Sequence, residues 1–220
     1  MLTYSPSLRT LAVCLAMLAG FVDAIAFLQL GGFFVSFMSG NSTRLGVGLA
    51  LAPQAAAIAS LLIGAFVIGV AAGSLLSRRA GRHRRQVILF GVAAALGSAA
   101  VAHAGGLSLP AAALMALAMG ATNAVFERDG ESRFGVTYMT GALVKLGQGL
   151  AAAASGGPRW TWLAYLFLWL GLTVGAGTGA LTYGYFGGKA LWAASAVAGL
   201  LALVAGMTKE PHNDALPSPR

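Results

Sequence analysis

Charged residues are scarce in this chain. They make up 9% of its 220 residues, against about 25% in soluble domains. That deficit, with 58% hydrophobic residues and a mean hydropathy of +0.79, excludes a soluble globular fold and places the chain in a lipid bilayer. There is one cysteine, Cys14, so no internal disulfide can form. It lies in an apolar run and is read as a small packing residue. The three histidines are scattered. The sequence has no His-Glu-x-x-His, no pair of intramembrane aspartates and no glycine loop closed by Lys-Ser or Lys-Thr. Neither catalytic residues, a metal site nor a cofactor is therefore expected.

Acidic residues number six against fourteen Lys and Arg, a formal charge of +8. In a soluble protein this would raise the question of nucleic acid. Here five of the basic residues, Arg78, Arg79, Arg82, Arg84 and Arg85, sit with His83 in one short connection between apolar runs. Such a cluster orients a membrane protein by the positive-inside rule. The 78–85 loop is expected to be cytoplasmic in an inner-membrane, multi-pass protein, and nucleic acid is not an expected partner. Anionic lipid headgroups can gather at the loop.

Apolar runs occur at about 8–29, 55–76, 87–104, 109–126, 160–182 and 189–207, and their ends coincide with Gly, Pro or charge. That predicts six strong spans. The first run is expected to be retained rather than cleaved, because Asp23 stands beside the small-x-small stretch Ala24-Ile25-Ala26. Two further segments, 33–51 and 135–154, are apolar but carry Ser, Thr, Asn, Arg or Lys in their middles.

These two segments belong to a pattern that occurs twice. The first copy reads Gly20-Phe21-Val22-Asp23-Ala24, then Ser36-Phe37-Met38-Ser39-Gly40-Asn41-Ser42-Thr43-Arg44-Leu45-Gly46. The second reads Gly120-Ala121-Thr122-Asn123-Ala124, then Thr137-Tyr138-Met139-Thr140-Gly141-Ala142-Leu143-Val144-Lys145-Leu146-Gly147. The offset is 100 residues at Gly20/Gly120 and 101 at Met38/Met139. Gly69-x-x-x-Gly73 likewise matches Gly175-x-x-x-Gly179; glycines four apart share a helix face and admit a neighbouring backbone. The expected fold is an all-α, polytopic transmembrane bundle of two internal repeats, 1–106 and 107–208, followed by a short polar tail, 209–220. Each repeat holds three strong helices and one motif segment that is broken, re-entrant or spanning. If the motif segments do not cross, there are six crossings and the halves are antiparallel; if they cross, there are eight and the halves are parallel.

The motif residues are the candidate site. Asp23 is deep in the first run, where an isolated charge costs about 2.5–3.5 kcal/mol, so it must be paired, wet or protonated. Arg44 and Lys145 are the other charges at membrane depth. Two cations and one carboxylate leave a surplus positive charge, which an anionic solute or headgroup would balance. Ser39, Asn41, Thr43, Asn123 and Thr140 are candidate polar contacts, with Gly20, Gly40, Gly69, Gly73, Gly120, Gly141, Gly175 and Gly179 as packing positions. The alternative is that the cations snorkel to the interfaces and Asp23 only locks helices.

The run from Gly20 to Asp23 and the stretch Met38-Ser-Gly-Asn-Ser-Thr-Arg44 resemble the signature of the YoaK-type family of small bacterial multi-spanning membrane proteins. The resemblance covers essentially the whole chain. It implies six spans and supplies no activity or ligand residues, since the family's function is unknown. The expected function is a secondary transporter or exporter of a small solute, anions included, with Asp23 as the coupling carboxylate and Arg44 and Lys145 as countercharges. A channel-like pore, or a non-transporting scaffold or lipid-interacting protein, is the alternative. The bilayer is the one partner expected; solute and oligomeric state are open.

Overall fold

The computed structural model describes residues 5–128, 131–132 and 138–207. The tail at 209–220, most of the loop before the second motif, and residues 129, 130 and 133 of the charged stretch 127–133 lie outside the described residues. Among the described residues eight α-helices make up the fold: α1 (Pro6–Leu30), α2 (Met38–Leu51), α3 (Pro53–Ala80), α4 (Arg84–Ala104), α5 (Ser108–Thr122), α6 (Met139–Ala154), α7 (Leu163–Phe186) and α8 (Ala190–Met207). A 3-10 turn, Asn123–Phe126, extends α5, and two residue pairs, Glu127 with Ser132 and Arg128 with Glu131, form a minimal hairpin. The chain is otherwise an all-α bundle.

Four apolar helical stretches are long enough to cross a membrane: Pro6–Leu30, Pro53–Ala104, Ser108–Phe126 and Leu163–Met207. The second and fourth are each two helices. Straight, 52 residues would reach about 78 Å at 1.5 Å per residue, more than twice the ~30 Å hydrocarbon core. Instead the chain doubles back at Gly81 (φ 51°) and Gly187 (φ 56°). Six long helices result. By contrast α2, with 14 residues, and α6, with 16, reach only about 21 and 24 Å.

Helix directions follow from their contacts. Gly69 and Gly73 of α3 lie against Leu117 and Ala121 of α5, in the same order, so these two helices run parallel. Gly171, Gly175 and Gly179 of α7 lie against Val13, Met17 and Phe21 of α1, also in parallel. Helix α8 runs against α4: Gly188 meets His103, the Ser195 hydroxyl donates to the Ala93 carbonyl at 2.8 Å, and Gly206 meets Gln86. With the short α4–α5 connection, these pairs make α1, α4 and α7 run one way and α3, α5 and α8 the other. Helix α3 starts at the end of the bundle where α1 stops, so the segment between them enters and returns. The N-terminal end of α1 and the 78–85 turn share the opposite end.

The close approaches explain the small residues. A methyl group at Gly20 would overlap the Leu172 carbonyl oxygen, and one at Gly120 would overlap that of Phe66. Equivalent overlaps would occur at Gly69 with Leu117 and at Gly175 with Met17. Without a hydrophobic drive between helices in lipid, such backbone proximity is a main source of association energy. Gly40 and Gly141 differ: their open sides face the Phe37 and Tyr138 rings at the start of their own helices. The core is filled by Ala and Leu, with Leu15, Met115, Met119 and Leu168 fully buried.

Gly175→Leu should therefore cost about 3 kcal/mol or more, since a carbonyl backbone cannot move aside as a side chain can. Gly64→Ala, where the added carbon meets nothing within 4 Å, should be neutral to slightly stabilising. Thermal unfolding of the detergent-purified variants checks both.

Candidate functional site

The site begins where α1 ends. Gly31 (φ 68°) and Gly32 (φ 102°) occupy left-handed conformations that side chains resist, and the Gly32 amide donates to the Phe27 carbonyl at 2.7 Å. This turn sends residues 33–36 back along α1 towards the level of Asp23. The returning backbone is not helical and is buried at Phe33, Val35 and Ser36, so its polar groups need partners inside the protein.

Two side chains supply them. The buried Asp23 carboxylate accepts the amides of Val35 at 2.8 Å and Ser36 at 2.7 Å on Oδ1, and the Ser36 hydroxyl at 2.5 Å on Oδ2. Asn41, wholly buried, pairs with Phe34 both ways: its Oδ1 accepts the Phe34 amide at 3.1 Å and its Nδ2 donates to the Phe34 carbonyl at 2.6 Å. Three consecutive residues of the break are thus held by one carboxylate and one amide. The rings of Phe27, Phe34 and Phe37 stack along the same turn, with centroids 5.3 and 5.2 Å apart.

Helix α2 then starts at Met38 and α6 starts at Met139, with Phe37 and Tyr138 as the preceding residues and no side-chain cap at either. The two starts face a common cavity of about 580 Å³. The first half lines it with residues 36–39, the second with 138–141, Val144 and Lys145, and α3 adds Phe66 from its midpoint. The uncapped first turns carry the positive ends of their helix dipoles, and among the described lining residues Lys145 carries the formal charge.

Of the residues singled out from the sequence, Ser39, Thr140, Gly141 and Lys145 line this cavity. Asp23 and Asn41 stand behind its wall, holding residues 34–36. Neither Arg44 nor Lys145 pairs with Asp23: the Arg44 guanidinium lies 4.6 Å from the centre of the Phe33 ring and covers the space beside Gly32. The Thr43 hydroxyl donates to the Ser39 carbonyl one turn back at 3.2 Å, and the Asn123 amide donates to Met119 and Gly120 carbonyls of its own helix at 3.1 and 3.3 Å. Ser36, which both touches Asp23 and lines the cavity, and the wall residues Phe37 and Tyr138 belong to the repeated motif but were not singled out as site residues, and Phe66 was missed altogether. Met38 and Met139 were visible as aligned positions; Phe66 carried no signal. Glu127 was also missed as a buried group: it accepts the Ser74 hydroxyl of α3 at 2.6 Å.

Comparison with known proteins places the chain. Residues 11–204 match the family described as a protein of unknown function, DUF1275. The UPF0700 transmembrane protein RA0705 of Rhizobium meliloti (strain 1021) is 41% identical over 196 residues, 89% of this chain and 84% of that protein. No solved structure matches. The chain belongs to this family of transmembrane proteins of unknown function, consistent with the resemblance of its signature to the YoaK-type proteins.

The staple can be tested without knowing the solute. Asp23→Ala leaves two buried amides unpaired, each worth about 1–3 kcal/mol, and should lower the melting temperature in detergent markedly. In Asp23→Asn the remaining oxygen still accepts both amides while the Ser36 hydroxyl turns to accept, so most of the stability should return. Equal loss in the two variants would contradict the hydrogen-bond account.

Proposed function

We propose that this member of the family is a secondary transporter or exporter of a small anionic solute, which binds in the cavity between the two motif segments. The observation that carries the proposal is that the cavity is lined by corresponding residues of both halves, 37–39 and 138–140, with Ser36 and Gly141 beside them. Helices interrupted at membrane depth leave backbone donors and dipole ends free for a substrate, and transporters built of inverted repeats place their sites at such interruptions.

The repeats, 1–106 and 107–208, are read as inverted. Each contributes three crossings and one half-helix that returns, and the contacts of α1 with α7 reappear as those of α5 with α3. Six crossings follow. With the arginine-rich 78–85 turn in the cytoplasm, the start of α1 lies there too, in an inner membrane. In this reading Lys145 is the countercharge inside the cavity. Arg44, stacked on Phe33, holds the turn that shapes it. Asp23 acts as the coupling carboxylate through Ser36: a proton on Asp23 changes the hydrogen bond that Ser36 makes, and Ser36 forms part of the cavity wall.

One observation favours a second reading, a non-transporting scaffold. All three hydrogen bonds to Asp23 come from the returning segment, as a purely structural lock would require. Proteoliposomes separate the two. With purified protein, an imposed pH gradient should drive accumulation of at least one radiolabelled anion from a set of acetate, benzoate, succinate and phosphate. Asp23→Asn should stay folded, lose the gradient-driven accumulation and retain exchange of the same anion. Full accumulation by Asp23→Asn would contradict coupling through this carboxylate; flux that only dissipates the gradient would indicate a channel; no flux of any anion would favour the scaffold.

A further inference from the structure

The cavity walls are chemically uneven. Rings line much of it: Phe37 from the first half, Tyr138 from the second and Phe66 from α3. Beside them stand the thioethers of Met38 and Met139, one from each half, and Val144. Among the described lining residues the polar side chains are few: the hydroxyl residues Ser36, Ser39, Tyr138 and Thr140, and Lys145. No acidic side chain is among the described lining residues.

This combination selects among anions. A phosphate or a dicarboxylate carries more than one negative charge and calls for more than one cation or a planar guanidinium fork; among the described residues the lining offers one ammonium, Lys145, and the two helix starts add only partial charges. A sugar acid or other polyhydroxylated anion needs a hydrogen-bond partner for each hydroxyl, because an unpaired buried polar group is costly; of the four hydroxyl residues in the described lining, Ser36 already donates to Asp23, which leaves Ser39, Tyr138 and Thr140 against a wall that is otherwise mostly apolar. A flat apolar ring fits the walls. Aromatic side chains attract another ring edge-on or offset, and thioether sulfur makes favourable contacts with ring edges. The volume of about 580 Å³ lies within the ~300–1,000 Å³ of pockets that enclose small organic ligands.

We propose that the solute is an amphipathic aromatic monocarboxylate, its ring held among Phe37, Phe66 and Tyr138 and its carboxylate paired with Lys145. The proposal rests on the transporter reading for its physiological meaning, but the binding site can be tested without transport. Its two halves make separate demands: the ring wall rejects small anions such as acetate, and the Lys145 ammonium rejects neutral analogues.

The test is binding of radiolabelled benzoate to the purified full chain in lipid nanodiscs, with acetate, inorganic phosphate and benzamide as competitors. Benzoate should bind, and each competitor should be at least about tenfold weaker, the difference one charge-assisted contact or one buried ring makes. Lys145→Met should weaken benzoate at least about tenfold, and Lys145→Arg should retain most of the binding. Phe66→Ala should weaken benzoate while leaving the preference for benzoate over benzamide. Thermal melts of the same samples show that the variants are folded. Absence of benzoate binding at millimolar concentration, acetate or phosphate competing as well as benzoate, or unchanged affinity in folded Lys145→Met would each overturn the proposal. Failure of the transporter reading looks different: benzoate then binds with the stated selectivity but proteoliposomes show no flux. Gradient-driven flux of acetate or phosphate without benzoate binding would keep transport and overturn the solute class.

Discussion

A backbone that leaves helical geometry at membrane depth must find partners for its amides and carbonyls inside the protein, because lipid provides none. In this molecule that requirement falls on Phe34, Val35 and Ser36, and it is met by Asp23 and Asn41. Without the staple the segment after Gly32 could not return along α1. Helix α2 would then have no fixed starting point, and the cavity would lack its first wall. A carboxylate suits the task because it offers several lone pairs and no donor, and all three groups that point at it are donors. The amide of Asn41 suits the other half, where one amide and one carbonyl of the same residue must be met together.

The frame around this break is built from backbone contact more than from large side chains. Gly20, Gly69, Gly120 and Gly175 each admit a carbonyl of the facing helix, so α1 joins α7 and α3 joins α5. Each of these unions pairs a helix from before residue 106 with one from after it, which ties the two halves of the chain together across the cavity. The walls that such contacts hold are stiff, while α2 and α6 are short and attach along one side. That division between a tight frame and two half-helices gives a ligand site room without loosening the bundle.

Much of this was legible in the sequence, and the reasons are local. The six long helices announce themselves through apolar length and through Pro, Gly or charge at their ends. The glycines of α3 and α7 are readable because a spacing of four is a helix face in any context. Ser39, Thr140 and Lys145 could be picked out because the two motif copies align. What Asp23 does could not be read in the same way. The need for a partner follows from its depth, but the partner is backbone twelve and thirteen residues further on, brought back by the left-handed pair Gly31 and Gly32. A cation in a matching motif is the more natural guess from sequence alone, and in the structure Arg44 stacks on Phe33 instead. Phe66 was invisible for a different reason: an aromatic residue in an apolar run looks the same whether it faces lipid, core or cavity.

The functional account stands on the two half-helix starts meeting from opposite ends of the bundle. Everything assigned to the cavity, from the Lys145 ammonium to its aromatic wall, presupposes that α2 returns to the end where α1 stops and that α6 returns to the other. Single cysteines at Ala52 and Gly156, introduced after Cys14→Ala and probed in intact cells with a membrane-impermeant thiol reagent, measure this directly. Antiparallel, re-entrant halves place Ala52 outside, where it is labelled, and Gly156 inside, where it reacts only after permeabilisation. Labelling of both residues from the same face would contradict the architecture, and with it the shared cavity.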